Sequence, residues 1–309
     1  MVQLAVEMRN VIKKRRTKTI GPIDLDLPEG HIIALVGQNG SGKSTLLNLL
    51  LKLSLPEEGA ICWFGKSAEG ELPMDIRRSI GYVPESPIPE ESHWIPEEAA
   101  WFRSHWYPEW DGVFFQEMLD KFEVPRGERL GKMSKGERRK FEIAAALAAG
   151  PKLLLLDEPS SGLDPFAWKI MIETFQRYMD ERQATIVIST HIVEEVRRLA
   201  DYIVLLHQGK LLGMAEKDSL LSMWNEVWVG AKDEEELAEL AAELPEALEL
   251  NMQAPGMASM ITSRLLDLEK RFSDLGVKMI KSRSLELEEI LSLWTMGHRP
   301  DLVDLRRGD

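Results

Sequence analysis

Alternating strand-like and helix-like segments predict an α/β protein, a parallel sheet with helices on both faces. Three observations carry that expectation. Short apolar runs at Ile32–Val36, Leu153–Leu156 and Thr185–Ser189 read as buried parallel strands. Helical stretches fall between them, as at Ser44–Leu53 and Gly136–Ala149, the second ended by Gly150-Pro151. Residues 1–30 follow another rule, with Ile23, Leu25 and Leu27 alternating with Asp24 and Asp26 in the manner of half-exposed strands.

The remaining elements follow in chain order. Gly59–Gly65 and Ser79–Val83 read as strands. From Glu85 to about Gly131 the composition changes: Pro84, Pro87 and Pro89 cluster, then Trp94, Trp101, Trp106 and Trp110 sit among acids. This stretch reads as a helical insert whose tryptophans mostly fill its own small core. A helix around Trp168–Glu181, a helix at Val193–Ala200, and strands Tyr202–Leu206 and Lys210–Met214 flanking His207-Gln208-Gly209 complete the core. From residue 215 onward the chain holds 20 acidic against 11 basic residues, and Leu287, Ile290, Leu291 and Trp294 keep the spacing of a one-faced helix. A small α+β appendix is expected over 215–309, after a main domain over 1–214.

The 309 residues carry a net charge of −13 and a pI near 5.1. That balance argues against a dedicated nucleic-acid binder, and none is expected as a partner. Cys62 is the single cysteine, which rules out an intrachain disulfide and a Cys-based zinc site. No apolar run approaches the ~20 residues of a membrane-spanning helix. The start of the chain lacks the order of a secretory signal, so a cytosolic location is expected.

Gly37-Gln38-Asn39-Gly40-Ser41-Gly42-Lys43-Ser44 matches G-x-x-x-x-G-K-[ST], with Thr45 extending it. Its glycines turn backbone N–H groups inward, and the helix that follows aims its positive end at phosphates. Lys43 is expected at the β- and γ-phosphates of ATP and Ser44 on Mg²⁺. Asp157 and Glu158 end a buried strand at the sheet edge where ligands bind, placing Asp157 at the metal and Glu158 at the attacking water. Ser134 and Glu137 form an S-x-x-E capping box, and a helix start with a serine and a glycine, Gly136, is also an anion site.

The ordered set of the phosphate loop, Met133-Ser134-Lys135-Gly136-Glu137, Leu153–Glu158, Ser161-Gly162-Leu163-Asp164 and His191 resembles the ABC ATPase family. The resemblance covers about residues 1–214. It implies a P-loop NTPase core with a parallel sheet, an N-terminal antiparallel β subdomain, a helical insert over about 86–146 and the C-terminal appendix. It further implies that Ser134 and Gly136 close on the γ-phosphate held by a second ATPase subunit. Ser161–Asp164 would then join the two sites, and His191 would sit near the γ-phosphate. With Glu85 and Trp106–Asp111, the Ser-Lys-Gly signature is similar to ABC-2-type bacterial exporter ATPases. These work with transmembrane permease subunits at the inner face of the membrane.

Three positions depart from the common family pattern. Glu85 stands where most members carry glutamine, and is expected to contact both nucleotide and Mg²⁺. Lys135 replaces a glycine. No Phe, Tyr or Trp precedes Trp63, so the usual adenine-stacking aromatic is missing; an arginine of Lys13-Lys14-Arg15-Arg16 could stack instead. A soluble, non-transport ATPase of the same family is the competing reading. A GTPase is disfavoured because no N-K-x-D element occurs.

Overall fold

The computed structural model describes residues 2–15, 18–68, 70–231, 233–244 and 247–305. The chain divides into two units, Met1–Met214 with Val303–Asp309, and Ala215–Leu302. Composition placed the change of domain at 215 and assigned everything beyond it to the appendix. Of the last stretch, Val303 and Leu305 pack on the core of the first unit instead, and the Val303 N–H donates to the Met214 carbonyl at 2.8 Å.

The first unit opens with β1 (Leu4–Lys14), β2 (Thr19–Pro28) and β3 (Ile32–Val36), then α1 (Lys43–Leu50), β4 (Glu58–Trp63) and β5 (Lys66–Ser67). After α2 (Met74–Arg78) and β6 (Ile80–Val83), a 3-10 turn at Pro89–His93 leads into α3 (Pro96–Ser104), α4 (Gly112–Lys121) and α5 (Lys135–Ala148). The core resumes with β7 (Leu153–Asp157), α6 (Pro165–Arg182), β8 (Thr185–Ser189), α7 (Val193–Leu199), β9 (Tyr202–His207) and β10 (Lys210–Glu216).

Two sheets result. β2-β1-β4-β5 is antiparallel, and β10-β9-β3-β8-β7-β6 is the larger sheet, in which β9-β3-β8-β7-β6 run parallel. Every residue of β3, β7 and β8 is buried, as strands covered on both faces must be. Alternate side chains then serve opposite cores. Leu154, Leu156, Ile186 and Ile188 pack with Phe115, Phe141 and Phe175 of α4, α5 and α6. Leu153, Leu155, Val187, Ile33 and Leu35 pack with Leu46, Leu47 and Leu50 of α1 and with the antiparallel sheet.

The helical insert is not the tryptophan-filled core that its composition suggests. Trp101 and Trp106 are 67% and 53% exposed, while Trp94 and Trp110 are half-buried against the core. A buried ion network occupies the middle instead. Arg103 reaches Glu91 at 2.5 Å and Glu142 at 2.8 Å, and Arg138 reaches Glu142 at 2.7 Å and Glu91 at 3.1 Å. Both guanidinium groups flank the Phe141 ring, 5.2 and 5.4 Å from its centroid. The four charges join the 3-10 turn, α3 and α5; Arg138–Glu142 alone has the local i, i+4 spacing, and the other contacts link residues 12 to 47 positions apart. A second buried acid, Glu195 of α7, accepts from the Trp168 indole at 3.3 Å. Burial pushes its carboxyl above the ordinary 4.5, the charge of Glu158 adds to the rise, and the Trp168 hydrogen bond only partly opposes it.

The second unit contains α8 (Lys217–Met223), β11 (Asn225–Val229), α9 (Glu234–Glu243), β12 (Leu248–Ala254), β13 (Met257–Thr262), α10 (Leu265–Leu275), β14 (Met279–Ser284) and α11 (Leu287–Thr295). Its sheet, β12-β13-β11-β14, is antiparallel throughout. Val227, Val229, Ala258 and Met260 pack on Leu237, Leu268 and Phe272 of the two helices. On α11, Leu287, Ile290 and Trp294 are buried as the spacing predicts, with Leu293 in place of Leu291.

Arg138→Met should destabilise the first unit by about 3 kcal/mol in denaturant titration, because it leaves buried Glu142 and Glu91 short of a partner. Glu195→Gln should act oppositely. The raised native pKa means the folded chain holds more protons than the unfolded one above pH 4.5, so stability falls as pH climbs. The amide escapes that loss. Its melting temperature should exceed wild type at pH 8 and match it below pH 4.5.

Candidate functional site

β3 ends at Val36, and the chain turns at once into the glycine loop. Gly37 cannot be replaced there, since a Cβ would lie 2.2 Å from the Leu206 carbonyl of neighbouring β9. Gly40 and Gly42 take φ of +76° and +120°, which L side chains avoid. The loop closes on itself where the Ser41 N–H donates to the Gln38 carbonyl at 3.0 Å. Lys43 begins α1 and folds back over the loop, its Nζ donating to the Gly37 carbonyl at 2.6 Å. The Ser41 hydroxyl is buried with no hydrogen-bond partner among the described residues.

The cleft beside this loop, about 560 Å³, gathers residues from segments far apart in the chain. Asn39, Gly40, Gly42, Lys43, Ser44 and Thr45 form its floor, and Glu85, Asp157, Glu158, Ser161, Ser189 and His191 one wall. Gly37 and Ser41 shape the loop from behind without lining the cleft. Ser44, Asp157 and Glu85 offer only oxygen donors, a set that suits a hard divalent cation. Among the described residues no three His, Cys, Asp or Glu form a metal cage of their own. A cation that shares its shell with substrate phosphates needs none.

Glu158 occupies a left-handed backbone conformation, φ +49°, which costs a non-glycine residue about 1 kcal/mol or more. The Glu158 N–H donates to the Ser189 carbonyl at 2.9 Å and locks the turn. Its carboxylate meets His191 Nδ1 at 2.8 Å. A carboxylate only accepts, so the Nδ1 proton belongs to this pair. Asp157 is 5% exposed and pairs in register with Ser189 of β8. Tyr82, two residues after the start of β6, has its phenol pushed up to about 12 by burial and by the charge of Asp157.

Ser134, Gly136 and Asp164 lie outside this cleft. Ser134 caps α5: its hydroxyl accepts from the Glu137 N–H at 3.2 Å while Glu137 accepts from the Ser134 N–H at 2.8 Å. Asp164 caps α6 by accepting from the N–H groups of Phe166 and Ala167. Gly136 approaches so closely that a Cβ would lie 2.4 Å from the Gly162 carbonyl. Lys135 donates to the Ser161 hydroxyl at 2.6 Å, so the loop that lines the cleft and the start of α5 are joined within one chain.

The opposite wall was only partly legible. Arg15, Lys18 and Ile20 line it, and Lys18 Nζ donates to the Gly40 carbonyl at 2.8 Å. Of the basic run, Arg15 is at the cleft, Lys13 is bonded to Glu57 at 2.9 Å, and Arg16 lies outside the described residues. Lys18 and Ile20 belong to no motif; the segment is tied to the glycine loop through Gly209, whose carbonyl accepts from the Gly21 N–H at 2.8 Å and whose N–H donates to the Ser41 carbonyl at 2.9 Å.

The sequence profile described as ABC transporter matches residues 20–161. The chain is 29% identical over 226 residues to the Nod factor export ATP-binding protein I of Rhizobium sp. (strain N33), covering 72% of this chain and 74% of that protein. It spans 40 to 64% of the length of three other curated relatives. A solved ATP-binding subunit of an ABC transporter superposes with a TM-score of 0.62 at 28% identity, over 70% of this chain and 91% of that one. An ATP-binding cassette solved as a dimer in a post-hydrolysis state with ADP and Pi gives 0.59 at 26% identity, over 68% and 98%. Profile, relatives and solved folds agree on one description: an ATP-binding, ATP-hydrolysing subunit of the ABC transporter type.

Proposed function

We propose that the chain powers an ABC exporter, binding MgATP in this cleft and closing on a second ATPase subunit. The observation that carries the reading is the joint presence of Lys43, Ser44, Asp157, Glu158 and His191 around one cavity beside a helix N-terminus. The export direction is supported by the relative named for Nod factor export.

On binding, Lys43 Nζ exchanges the Gly37 carbonyl for the β- and γ-phosphates. Ser44, Asp157 and Glu85 would hold Mg²⁺, which would supply charge neutralisation on the phosphate oxygens. Glu158 polarises a water; its oxygen bonds to the γ-phosphorus as the bond to the β–γ bridging oxygen breaks. ADP leaves with the bridging electrons, and the water proton passes to Glu158 or to the released phosphate. His191, oriented by Glu158, stands over the γ-phosphate. Arg15 and Ile20 supply a planar cation and an apolar surface to the adenine in place of an aromatic ring.

Ser134 and Gly136 act on the nucleotide of the partner subunit. In the isolated chain they are turned to helix capping and to Gly162, away from their own cleft. A permease would dock in the groove of about 360 Å³ lined by Tyr82, Ile88, Trp106 and Tyr107 with Arg77 and Arg78 at its edge. No described helix is long and apolar enough to cross a membrane, so attachment at the inner face depends on that partner.

Glu158→Gln should keep ATP affinity yet slow turnover by about two to three orders of magnitude, leaving an ATP-bound dimer on gel filtration. Undiminished turnover would remove Glu158 from its role. Ser134→Arg should leave monomer binding intact and abolish the ATP-induced dimer; a normal dimer would count against action across an interface.

A further inference from the structure

Glu85 is a third acid in a cleft that already holds Asp157 and Glu158. A polyphosphate entering there meets repulsion from each carboxylate that nothing offsets. Lys43, Lys18 and Arg15 bring positive charge into the cleft itself, and a further one lies beneath the loop that carries Glu85. Arg139, in the second turn of α5, is 4% exposed. Its Nη1 donates to the Pro84 carbonyl at 2.5 Å and its Nη2 to the Glu85 carbonyl at 2.8 Å.

The contrast with its neighbour is informative. Arg138 spends its charge on Glu142 and Glu91, whereas the hydrogen bonds of Arg139 go to two neutral carbonyls. Its positive field therefore remains for the acids around it. Burial lowers the Arg139 pKa, and Glu142, Asp157 and Glu85 oppose that shift and keep it charged. Glu142 is already engaged with Arg103 and Arg138, which leaves Asp157 and Glu85, both lining the phosphate cleft. The same two hydrogen bonds tie the loop at Glu85 to the helix that Ser134 caps.

We propose that Arg139 is the charge partner of Glu85, a positioning residue that seats the Glu85 loop through its carbonyls and offsets the acid so that ATP can enter. It makes no contact with the nucleotide. This rests on reading the cleft as the ATP site, and it goes further in explaining how that site tolerates a carboxylate at position 85. A clamp that worked through hydrogen bonds alone would be indifferent to the side chain of residue 85; a charge partner is not.

The test is a double-mutant cycle on the full chain, with fluorescent-nucleotide displacement by ATP in EDTA and again in excess Mg²⁺. In EDTA, Arg139→Gln should weaken ATP binding about tenfold and Glu85→Gln should tighten it about tenfold, each equivalent to one pKa unit of charge interaction. The double variant should bind within about twofold of Glu85→Gln alone, because Arg139 has no acid at position 85 left to offset there, and the single-variant shifts should shrink at 1 M salt and in Mg²⁺. Arg139→Lys should recover most of the lost affinity, although it cannot span both carbonyls. Equal weakening by Arg139→Gln in the wild-type and Glu85→Gln backgrounds would overturn the pairing in favour of a simple clamp. If Arg139→Gln does not fold, Glu85→Gln decides alone: an affinity unchanged in EDTA overturns the proposal. Wild-type chain that binds no ATP at all would sink the cleft assignment itself, a result distinct from binding without coupling.

Discussion

The whole site depends on one constraint: the backbone of three fully buried strands can be satisfied only by the strands beside it. β3, β7 and β8 have no access to water, so their N–H and C=O groups must pair in the parallel ladder. A parallel ladder delivers all carboxyl ends to one edge. Val36, Asp157 and Ser189 therefore finish side by side, and the polar residues just beyond them fall together without any further instruction. The glycine loop, the Asp-Glu pair and His191 are far apart in the chain and adjacent in space for this reason alone.

That same rule explains what could be read in advance. The phosphate loop, the strand leading to Asp157 and Glu158, and the position of His191 just past a strand end are local patterns whose context, strand before and loop or helix after, is itself local. The opposite wall is different. Lys18 and Ile20 reach the cleft because Gly209, far along the chain, bridges their segment to the glycine loop by backbone hydrogen bonds to Gly21 and Ser41, and no local periodicity encodes that bridge. The insert resisted reading for a related reason. Its tryptophans suggested an apolar core, but residues 91, 103, 138 and 142 contribute a charged one, and the partners are up to 47 positions apart. Buried charge is rare enough that sequence reasoning assigns such residues to solvent.

In the isolated chain the polar groups proposed for the site, and Lys135 beside them, are already bonded within the chain. Lys43 is held by Gly37, Glu158 by His191, Ser134 by Glu137 and Lys135 by Ser161. Each interaction is replaceable by a phosphate or a water at little net cost, because one hydrogen bond is exchanged for another. Groups tethered in this way stay close to where they are needed and lose little conformational freedom when substrate arrives.

The hydrogen bond from Val303 to Met214 has a consequence for the architecture of the chain. The excursion from Ala215 to Leu302 departs from and rejoins the first unit at a single point, so in topological terms it is a plug-in module rather than a trailing tail. Such a module can grow, shrink or be exchanged without rethreading the fold that carries it, and the short returning segment packs on the first unit's own core through Val303 and Leu305. The catalytic scaffold is thereby insulated from variation in the segment it hosts.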